Sequence, residues 1–258
     1  MFFRGQKYKD WRFTSSIARN KSLIKYENNI FTDLYESKFD FNNAEKCREK
    51  IFYAQHYGLP TRMLDVTSNW EIALWFACQE FLKCNGENHD GEIVLMNVDN
   101  EIDLSVEKFF YWQIENSNSL HGSNYADSVK TYSKLVCTDY ELVNQKIDEY
   151  STGVGNLYLL KPNKIDGRIK RQCAYGVLLP SFEYKGKYRQ HIRSVFRKNM
   201  ISICVPGCLK NELLNELNVL GIDENYIYEI TTNEEKQFES KCLEIKNKYL
   251  SIEKGVIK

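Results

Sequence analysis

Three segments of the chain carry polar and charged side chains that core packing does not require. The first is Phe3-Arg4-Gly5-Gln6, where an arginine stands inside an apolar stretch predicted to be the first strand. A guanidinium removed from water needs an anionic partner, and a glycine lets a ligand or a second backbone approach closely. The partner of Arg4 is either a bound anion or a carboxylate of the protein such as Asp65, and the residues alone favour neither.

The second segment, residues 55–67, is a polar stretch between two predicted helices. A polar loop that leads into a helix N-terminus is a frequent place to hold phosphate or carboxylate groups. The alternative is structural, with Asp65 and Thr67 capping the next helix while Arg62 neutralises Asp65. The candidate ligand-binding side chains of this segment are Gln55, His56, Thr61, Arg62, Asp65 and Thr67.

The third segment, Arg168-Ile169-Lys170-Arg171-Gln172, precedes the predicted strand 175–179. It puts cationic groups and the amide of Gln172 at the entrance of a strand, which is a weak signal taken alone. The sequence has no glycine-rich phosphate loop, no G-x-S-x-G and no H-E-x-x-H. Any chemistry therefore depends on the three segments meeting in the fold.

Composition limits the class of protein. The 258 residues include 35 Lys and Arg against 35 Asp and Glu, so the formal net charge is zero. This balance argues against a protein that coats nucleic acid or an anionic membrane. No apolar run approaches the roughly 20 residues of a membrane span, and the first residues lack the layout of a signal peptide. We therefore expect a soluble, cytoplasmic protein that does not bind membranes.

The eight cysteines are scattered along the chain. Disulfide-dense scaffolds are usually short and secreted, so buried free thiols are predicted instead of bridges. Cys204 and Cys208 have the best spacing for zinc, but no second ligand pair follows them. The sequence predicts no metal site.

Hydrophobic periodicity predicts the elements that position the three segments. Helices are expected at 44–57 and from Trp70 to Phe81. The second is expected to have one buried apolar face, which includes Trp70, and a capping box of Ser68 and Glu71. Because strands and helices do not alternate regularly, the pattern favours an α+β fold with a mixed, largely antiparallel sheet core flanked by helices. The predicted strands are 93–96, 157–160, 175–179 and 201–205.

Four other stretches complete the predicted organisation. Residues 20–43 are expected to be loop-rich, and 99–153 to form an insertion or lid whose aromatic cluster at 109–112 belongs to the core. A leucine stripe predicts a helix that stops at Gly221. A mostly charged C-terminal helix is expected within 233–258, with Thr232 and Glu235 as its capping box.

The three segments together resemble the FRG domain, a bacterial family named for its N-terminal Phe-Arg-Gly. The family pattern begins with FRGQ, which stands here at 3–6. Its most specific block is similar to QHxGLPTRLLDxTxNxxxALxFA, and residues 55–77 match it closely. The later R-I-x-x-Q-x-G pattern is present except that Ala174 replaces the glycine. The resemblance covers nearly the whole chain and implies one FRG domain over 1–258.

The opening motif is also remotely similar to that of arginine-type ADP-ribosyltransferases. In those enzymes the arginine holds a phosphate or ribose of NAD, and a glutamate on a later strand binds the ribose hydroxyl. The resemblance implies an ADP-ribosyltransferase-like fold with NAD as substrate. Gln172 is uncharged, so another acid such as Glu183 would supply the carboxylate. The implied catalytic residues are Arg4, His56 and Gln172, and the implied NAD contacts are Arg4, Gly5, Gln55, Thr61, Arg62, Asp65, Thr67 and Arg168.

Three functional hypotheses follow. The leading one is an NAD-using, ADP-ribosyltransferase-like effector that acts as a toxin or in phage defence on a protein or nucleic-acid target. The alternative is a non-enzymatic module that senses a nucleotide or nucleic acid through the same phosphate-binding cluster. The third is a buried structural network of Arg4, Arg62, Asp65 and Gln172. Under the first two hypotheses, Arg4, Arg62 and Arg168 are expected to converge on one anion pocket.

Overall fold

The structure is a computed structural model of the 258-residue chain. The residues that it describes are 1–11, 13–19, 23, 26–35, 44–97, 100–102, 104–116, 125–136, 139, 141–145, 158–163, 167–178, 182–184, 187–189, 200–229 and 233–253.

The described part of the chain combines helices with three sheets. The helices are α1 (Ser16–Arg19), α2 (Glu27–Tyr35), α3 (Ala44–His56), α4 (Trp70–Cys78), α5 (Leu104–Glu115), α6 (Tyr125–Leu135), α7 (Gly167–Arg171), α8 (Lys210–Val219), α9 (Glu224–Tyr228) and α10 (Asn233–Glu253). The strands are β1 (Phe2–Gln6), β2 (Met63–Thr67), β3 (Gly91–Met96), β4 (Asn100–Glu101), β5 (Tyr158–Leu159), β6 (Ala174–Leu178), β7 (Phe182–Tyr184), β8 (Lys187–Arg189) and β9 (Met200–Val205).

The main sheet has five strands in the order β6-β2-β1-β3-β9, and every neighbouring pair is antiparallel. The α+β prediction is therefore confirmed, and the predicted strands are found within one or two residues of their expected bounds. Short pairs β4–β5 and β7–β8 form the two smaller sheets. Leu157 and Leu179, which were included in two predicted strands, lie outside the described residues.

The pairing of β1 and β2 differs from that of the other strands. β1 pairs with β3 along its whole length, from Phe2 opposite Met96 to Gln6 opposite Glu92. β1 and β2 are both fully described, yet they are paired at one position, Phe3 opposite Thr67. The two strands therefore separate on the Arg4 side of this pair and leave a gap in the middle of the sheet.

Two glycines let α4 lie directly on this sheet. A Cβ atom on Gly5 would stand 1.8 Å from the carbonyl oxygen of Ala73, and one on Gly91 would stand 2.2 Å from that of Ala77. No side chain fits at such distances, because both obstacles are helix backbone. Gly5 therefore serves close packing of α4 on β1.

α4 is buried on two sides, which corrects two expectations. Ala73 and Ala77 face the sheet, whereas Ile72 and Trp75 pack with the apolar residues of α8 and α9. A helix enclosed in this way has no single apolar stripe, and Trp70, expected on the buried face, is 53 % exposed. The predicted capping box is also wrong, because the side chain of Asn69 caps the helix by accepting from the amide of Glu71 (2.8 Å).

The largest hydrophobic cluster joins α2, α3, α5 and α10. The expectation of a loop-rich stretch at 20–43 is wrong for 27–35, which form α2, because Ile30, Phe31 and Leu34 recur at helical spacing and are buried. The aromatic residues 109–112 lie on α5 inside the same cluster, as predicted. α5 is thus part of the interior.

The C-terminal elements are anchored to the sheet by a buried lysine. The ammonium of Lys210, at the start of α8, donates to the carbonyl oxygens of Lys7 (2.7 Å) and Gln79 (3.1 Å). It joins α8 to the ends of β1 and α4. The helix stops before Gly221, whose φ of +79° is the left-handed conformation expected there. Thr232, predicted to cap α10, lies outside the described residues.

No described helix is both long and apolar enough to cross a membrane. The described cysteines are free thiols. Within the same residues, no group of three or more His, Cys, Asp or Glu side chains is placed to hold a metal ion.

Candidate functional site

The gap between β1 and β2 opens into a cleft of about 120 Å³. One wall is apolar and comes partly from α4, through Ile72 and Phe76. The other groups are polar and come from all three segments singled out in the sequence. The polar residues that line the cleft, together with Gly5, are Arg4, His56, Asp65, Thr67 and Gln172.

Arg4 lies in this cleft with little access to solvent, its side chain being 16 % exposed. Its Nη1 donates to the backbone oxygen of Asp65 (2.7 Å) and stands 3.9 Å from that residue's Oδ2. Its Nε is buried and has no hydrogen-bond partner among the described residues. Burial lowers the pKa of Arg4 to about 10, although the Asp65 charge acts in the opposite direction. Arg4 is therefore a cation that the protein neutralises incompletely.

Asp65 is held by one of its two carboxylate oxygens. Gln55 Nε2 donates to Asp65 Oδ2 (2.9 Å), while Asp65 Oδ1 is buried and has no partner among the described residues. Both alternatives posed for Arg4 are therefore partly correct. Its guanidinium contacts Asp65, and its Nε has no partner among the described residues. Asp65 and Thr67 do not supply the side-chain cap of α4, which comes from Asn69.

A relay of hydrogen bonds fixes the orientation of the Gln55 amide. The amide of Met63 donates to Thr61 Oγ1 (3.1 Å), so the Thr61 hydroxyl hydrogen is directed to Gln55 Oε1 (2.5 Å). Ser16 Oγ also lies 3.2 Å from that oxygen. The NH₂ group of Gln55 must then face Asp65, where it donates to Oδ2 and leaves Oδ1 without a partner among the described residues. Gln55 and Thr61 act on the cleft through Asp65 and do not line it.

Replacing Gln55 by Leu should lower the free energy of unfolding by about 1–3 kcal/mol, because the buried Thr61 hydroxyl and Asp65 Oδ2 both lose their partner. Urea denaturation followed by circular dichroism measures this loss. Gln79→Leu is the matched control, since its amide makes one bond to the Trp75 carbonyl (3.0 Å) at the end of α4. Equal losses in the two variants would show that the relay has no special role.

His56, Thr67 and Gln172 complete the polar lining. His56 ends α3 and is 6 % exposed. Thr67 Oγ1 donates to the backbone oxygen of Gln172 (2.8 Å), and Gln172 Nε2 donates to that of Ile227 (3.2 Å). The Gln172 side chain thus joins the cleft to α9, and its amide is committed to a backbone bond.

Arg62 does not line the cleft. It is 2 % exposed, and its guanidinium forms a two-pronged ion pair with the buried carboxylate of Glu27 on α2. Its Nη1 also donates to Gln113 on α5 (2.9 Å). The expected neutralisation of Asp65 by Arg62 is wrong, because Glu27 takes that place. Arg62 joins β2 to two core helices.

Arg168 is also outside the cleft lining. Its guanidinium carbon lies 4.5 Å from the ring centroid of Tyr228 and 5.6 Å from that of Tyr57. Its Nη1 is 3.4 Å from Glu239 on α10. Arg4, Arg62 and Arg168 therefore belong to three different sets of contacts and do not form one anion pocket.

Two site features were not found from the sequence. Arg19 lies near Arg4 and Asp65. Its positive charge helps to lower the pKa of Arg4. Burial lowers the pKa of Arg19 as well, and the charge of Asp65 opposes that change. Asp65 was considered mainly as a cap or a partner, although its position at the separation of β1 and β2 makes it the carboxylate of the cleft. The side chain of Glu183, the other acid considered, lies outside the described residues.

Two of the described buried thiols, Cys78 and Cys242, are not activated nucleophiles. Burial raises the pKa of Cys78 to about 11 and that of Cys242 to about 12. A thiol protonated at neutral pH is a poor nucleophile. The titratable groups that line the cleft are those of Arg4, Asp65 and His56.

Comparison with known families finds a match in the first third of the chain. The family model of the FRG domain matches residues 1–85. The chain contains an FRG domain. The match takes in β1, the relay and α4, and so most of the cleft, whereas Gln172 lies beyond it. No curated protein and no solved structure matches the chain. The extension of the FRG domain over 1–258, and 99–153 as an insertion or lid, stay predictions.

Proposed function

We propose that the cleft of this FRG-domain protein binds an NAD-type nucleotide and breaks its nicotinamide–ribose bond, as an ADP-ribosyltransferase-like enzyme. One observation carries the proposal. Arg4 and Asp65 line the same cleft, and each has a buried polar atom, Arg4 Nε and Asp65 Oδ1, that is without a partner among the described residues. Such a pair suits a ligand that is anionic at one point and becomes cationic at another.

The anionic point of the ligand is a phosphate. Arg4 offers a fork of N–H donors that matches phosphate oxygens. Its lowered pKa of about 10 still leaves it charged at neutral pH. Arg19 adds a second positive charge nearby. An incoming phosphate would supply the neutralisation that Asp65 gives only in part.

The cationic point is the ribose carbon that loses nicotinamide. When the C1′–N bond breaks, its electron pair leaves with neutral nicotinamide, and C1′ takes on oxocarbenium character. A fixed carboxylate stabilises that charge as it develops. An acceptor hydroxyl, amine or water then forms the new bond to C1′ and releases a proton. Asp65 is oriented for this role by the Gln55 relay.

Gln172 has no carboxylate and is not the source of negative charge in this proposal. The amide of Gln172 is directed to the Ile227 carbonyl, so its place in the cleft is structural. Asp65 supplies the negative charge from β2 instead. A cavity of about 120 Å³ is smaller than the usual pocket of about 300–1,000 Å³ for a whole ligand. We therefore expect it to hold only the ribose and an adjoining phosphate, with the rest of the nucleotide outside.

Asp65→Asn tests the catalytic role. We expect nicotinamide release to fall by about 100-fold or more, while the affinity for NAD changes little because Arg4 is intact. Release is measured by chromatography with purified protein, with and without cell extract as a source of acceptor. Glu80→Gln is the matched control, since it makes the same chemical change on an exposed residue outside the cleft.

Two results would contradict the proposal. If wild-type protein binds NAD without releasing nicotinamide, a non-enzymatic nucleotide- or nucleic-acid-sensing module is favoured. If Asp65→Asn releases nicotinamide as fast as wild type, Asp65 is not the catalytic carboxylate. The proposal also assigns the protein an effector role, as a toxin or in phage defence. Expression of wild type, but not of Asp65→Asn, should then arrest growth of a bacterial host.

A further inference from the structure

The two edges of the main sheet differ in how they are covered. At the β6 edge, Leu160 and Gly176 exchange two backbone hydrogen bonds (2.7 and 2.9 Å). At the other edge, β9 pairs with β3 over its whole length, and no strand in the described part of the chain pairs with its outer side. An open strand edge is a template for another strand.

β9 lacks the features that usually prevent edge pairing. Its sequence, Met200-Ile201-Ser202-Ile203-Cys204-Val205, contains no charged residue and no proline. Ile201 is 62 % exposed and Ile203 is 48 % exposed. β-branched apolar side chains favour strand pairing, so their exposure on an uncharged edge indicates that this edge is used in association.

We propose that β9 pairs antiparallel with β9 of a second copy of this chain, joining the two five-stranded sheets across a two-fold axis. An axis through Ser202 keeps the faces of both sheets aligned, since successive side chains alternate between faces. It sets Ile201 of each copy opposite Ile203 of the other. In this register each exposed isoleucine lies opposite an isoleucine of the second copy. A strand of another protein would cover both only if it had apolar residues at the same two positions.

The overall charge of the protein is compatible with self-association. The formal net charge is zero and the isoelectric point is about 6.9, so two copies do not repel each other at neutral pH. The cleft lies at the β1–β2 gap, and β3 separates that gap from β9. Pairing at β9 therefore leaves the proposed nucleotide site accessible.

Sedimentation equilibrium with the full chain tests the proposal. We expect wild type to dimerise and Ile203→Lys to dimerise at least tenfold more weakly, because lysine at a strand edge opposes pairing. Leu243→Lys on α10 is the matched control, since Leu243 is 56 % exposed and outside the sheet. Its dimerisation should equal that of wild type. Circular dichroism verifies that each variant is folded.

Cross-linking tests the register. In the proposed dimer Ser202 lies opposite Ser202 of the second copy, within the Cα separation that a disulfide spans. Ser202→Cys in a Cys204→Ser background should form an intermolecular disulfide between the two introduced thiols on mild oxidation, identified by peptide mass spectrometry. A monomeric wild type, an Ile203→Lys variant that dimerises as wild type does, or a cross-link that joins other cysteines would each overturn the proposal.

Discussion

Arg62→Met is expected to lower the free energy of unfolding by about 3–5 kcal/mol, the loss typical of removing one partner from a buried ion pair. Arg62 is 2 % exposed and Glu27 is fully buried, and their ion pair joins the residue directly before β2 to the first residue of α2. Without the guanidinium, the Glu27 carboxylate is left in the interior without its counter-charge. For a domain of ordinary stability this is a large share of the total.

Urea denaturation of Arg62→Met measures this loss, and a double variant separates its cause. Glu27→Leu combined with Arg62→Met replaces both charges with apolar groups of similar length, so most of the lost stability should return. If the single variant stays within about 1 kcal/mol of wild type, the ion pair is not the anchor that its burial indicates. A double variant no more stable than the single one would point to the lost Gln113 contact instead.

Arg4→Met is expected to have the opposite effect on stability and the largest effect on binding. Burial lowers the pKa of Arg4 from its ordinary value to about 10, so the folded protein holds this charge at a cost on the order of 3 kcal/mol. Methionine removes that cost and keeps much of the apolar stem. We expect the variant to be as stable as wild type or more stable, with NAD binding reduced at least tenfold.

The same pKa sets the pH dependence of this difference. Below about pH 10 the arginine is charged in both the folded and the unfolded protein, so its cost to folding is constant. Above about pH 10 the folded protein loses the proton while the unfolded chain, whose arginine has its higher ordinary pKa, still keeps it, so folding is favoured as the pH rises. The stability advantage of Arg4→Met over wild type should therefore shrink above pH 10.

Calorimetric titration with NAD and thermal unfolding of the same Arg4→Met sample distinguish the hypotheses. A folded variant that no longer binds supports a ligand-binding arginine. An unfolded or strongly destabilised variant would support the buried structural network, since Arg4 would then be needed for its bond to the Asp65 carbonyl. Unchanged binding would remove Arg4 from the proposed site.

The sequence alone predicted the elements with strong local signals. The strands near 93–96 and 201–205, the helix at 44–57 and the stop at Gly221 all depend on short-range patterns, and they are found. The polar segments meet, because β1, β2 and β6 are neighbours in the sheet. Arg4, His56, Asp65 and Gln172 consequently line one cleft.

Features that depend on tertiary contacts were not predictable in this way. The partner of Arg62 is Glu27, 35 positions earlier in the chain, in a stretch expected to be loop-rich. α4 has no single apolar stripe because α8 and α9 cover the side away from the sheet. Nothing in the order of residues marks the separation of β1 from β2, since each strand pairs fully with its other neighbour.

The single pairing of Phe3 with Thr67 has a mechanical consequence. It divides the sheet into two ladders, β6-β2 and β1-β3-β9, which are continuous within themselves and joined at one point. A small rotation about that joint would widen the cleft while both ladders stay intact, and the Arg4–Asp65 backbone bond is the contact that it would stretch. We expect a bound nucleotide to slow amide hydrogen exchange in the residues of β1 and β2 beside this joint.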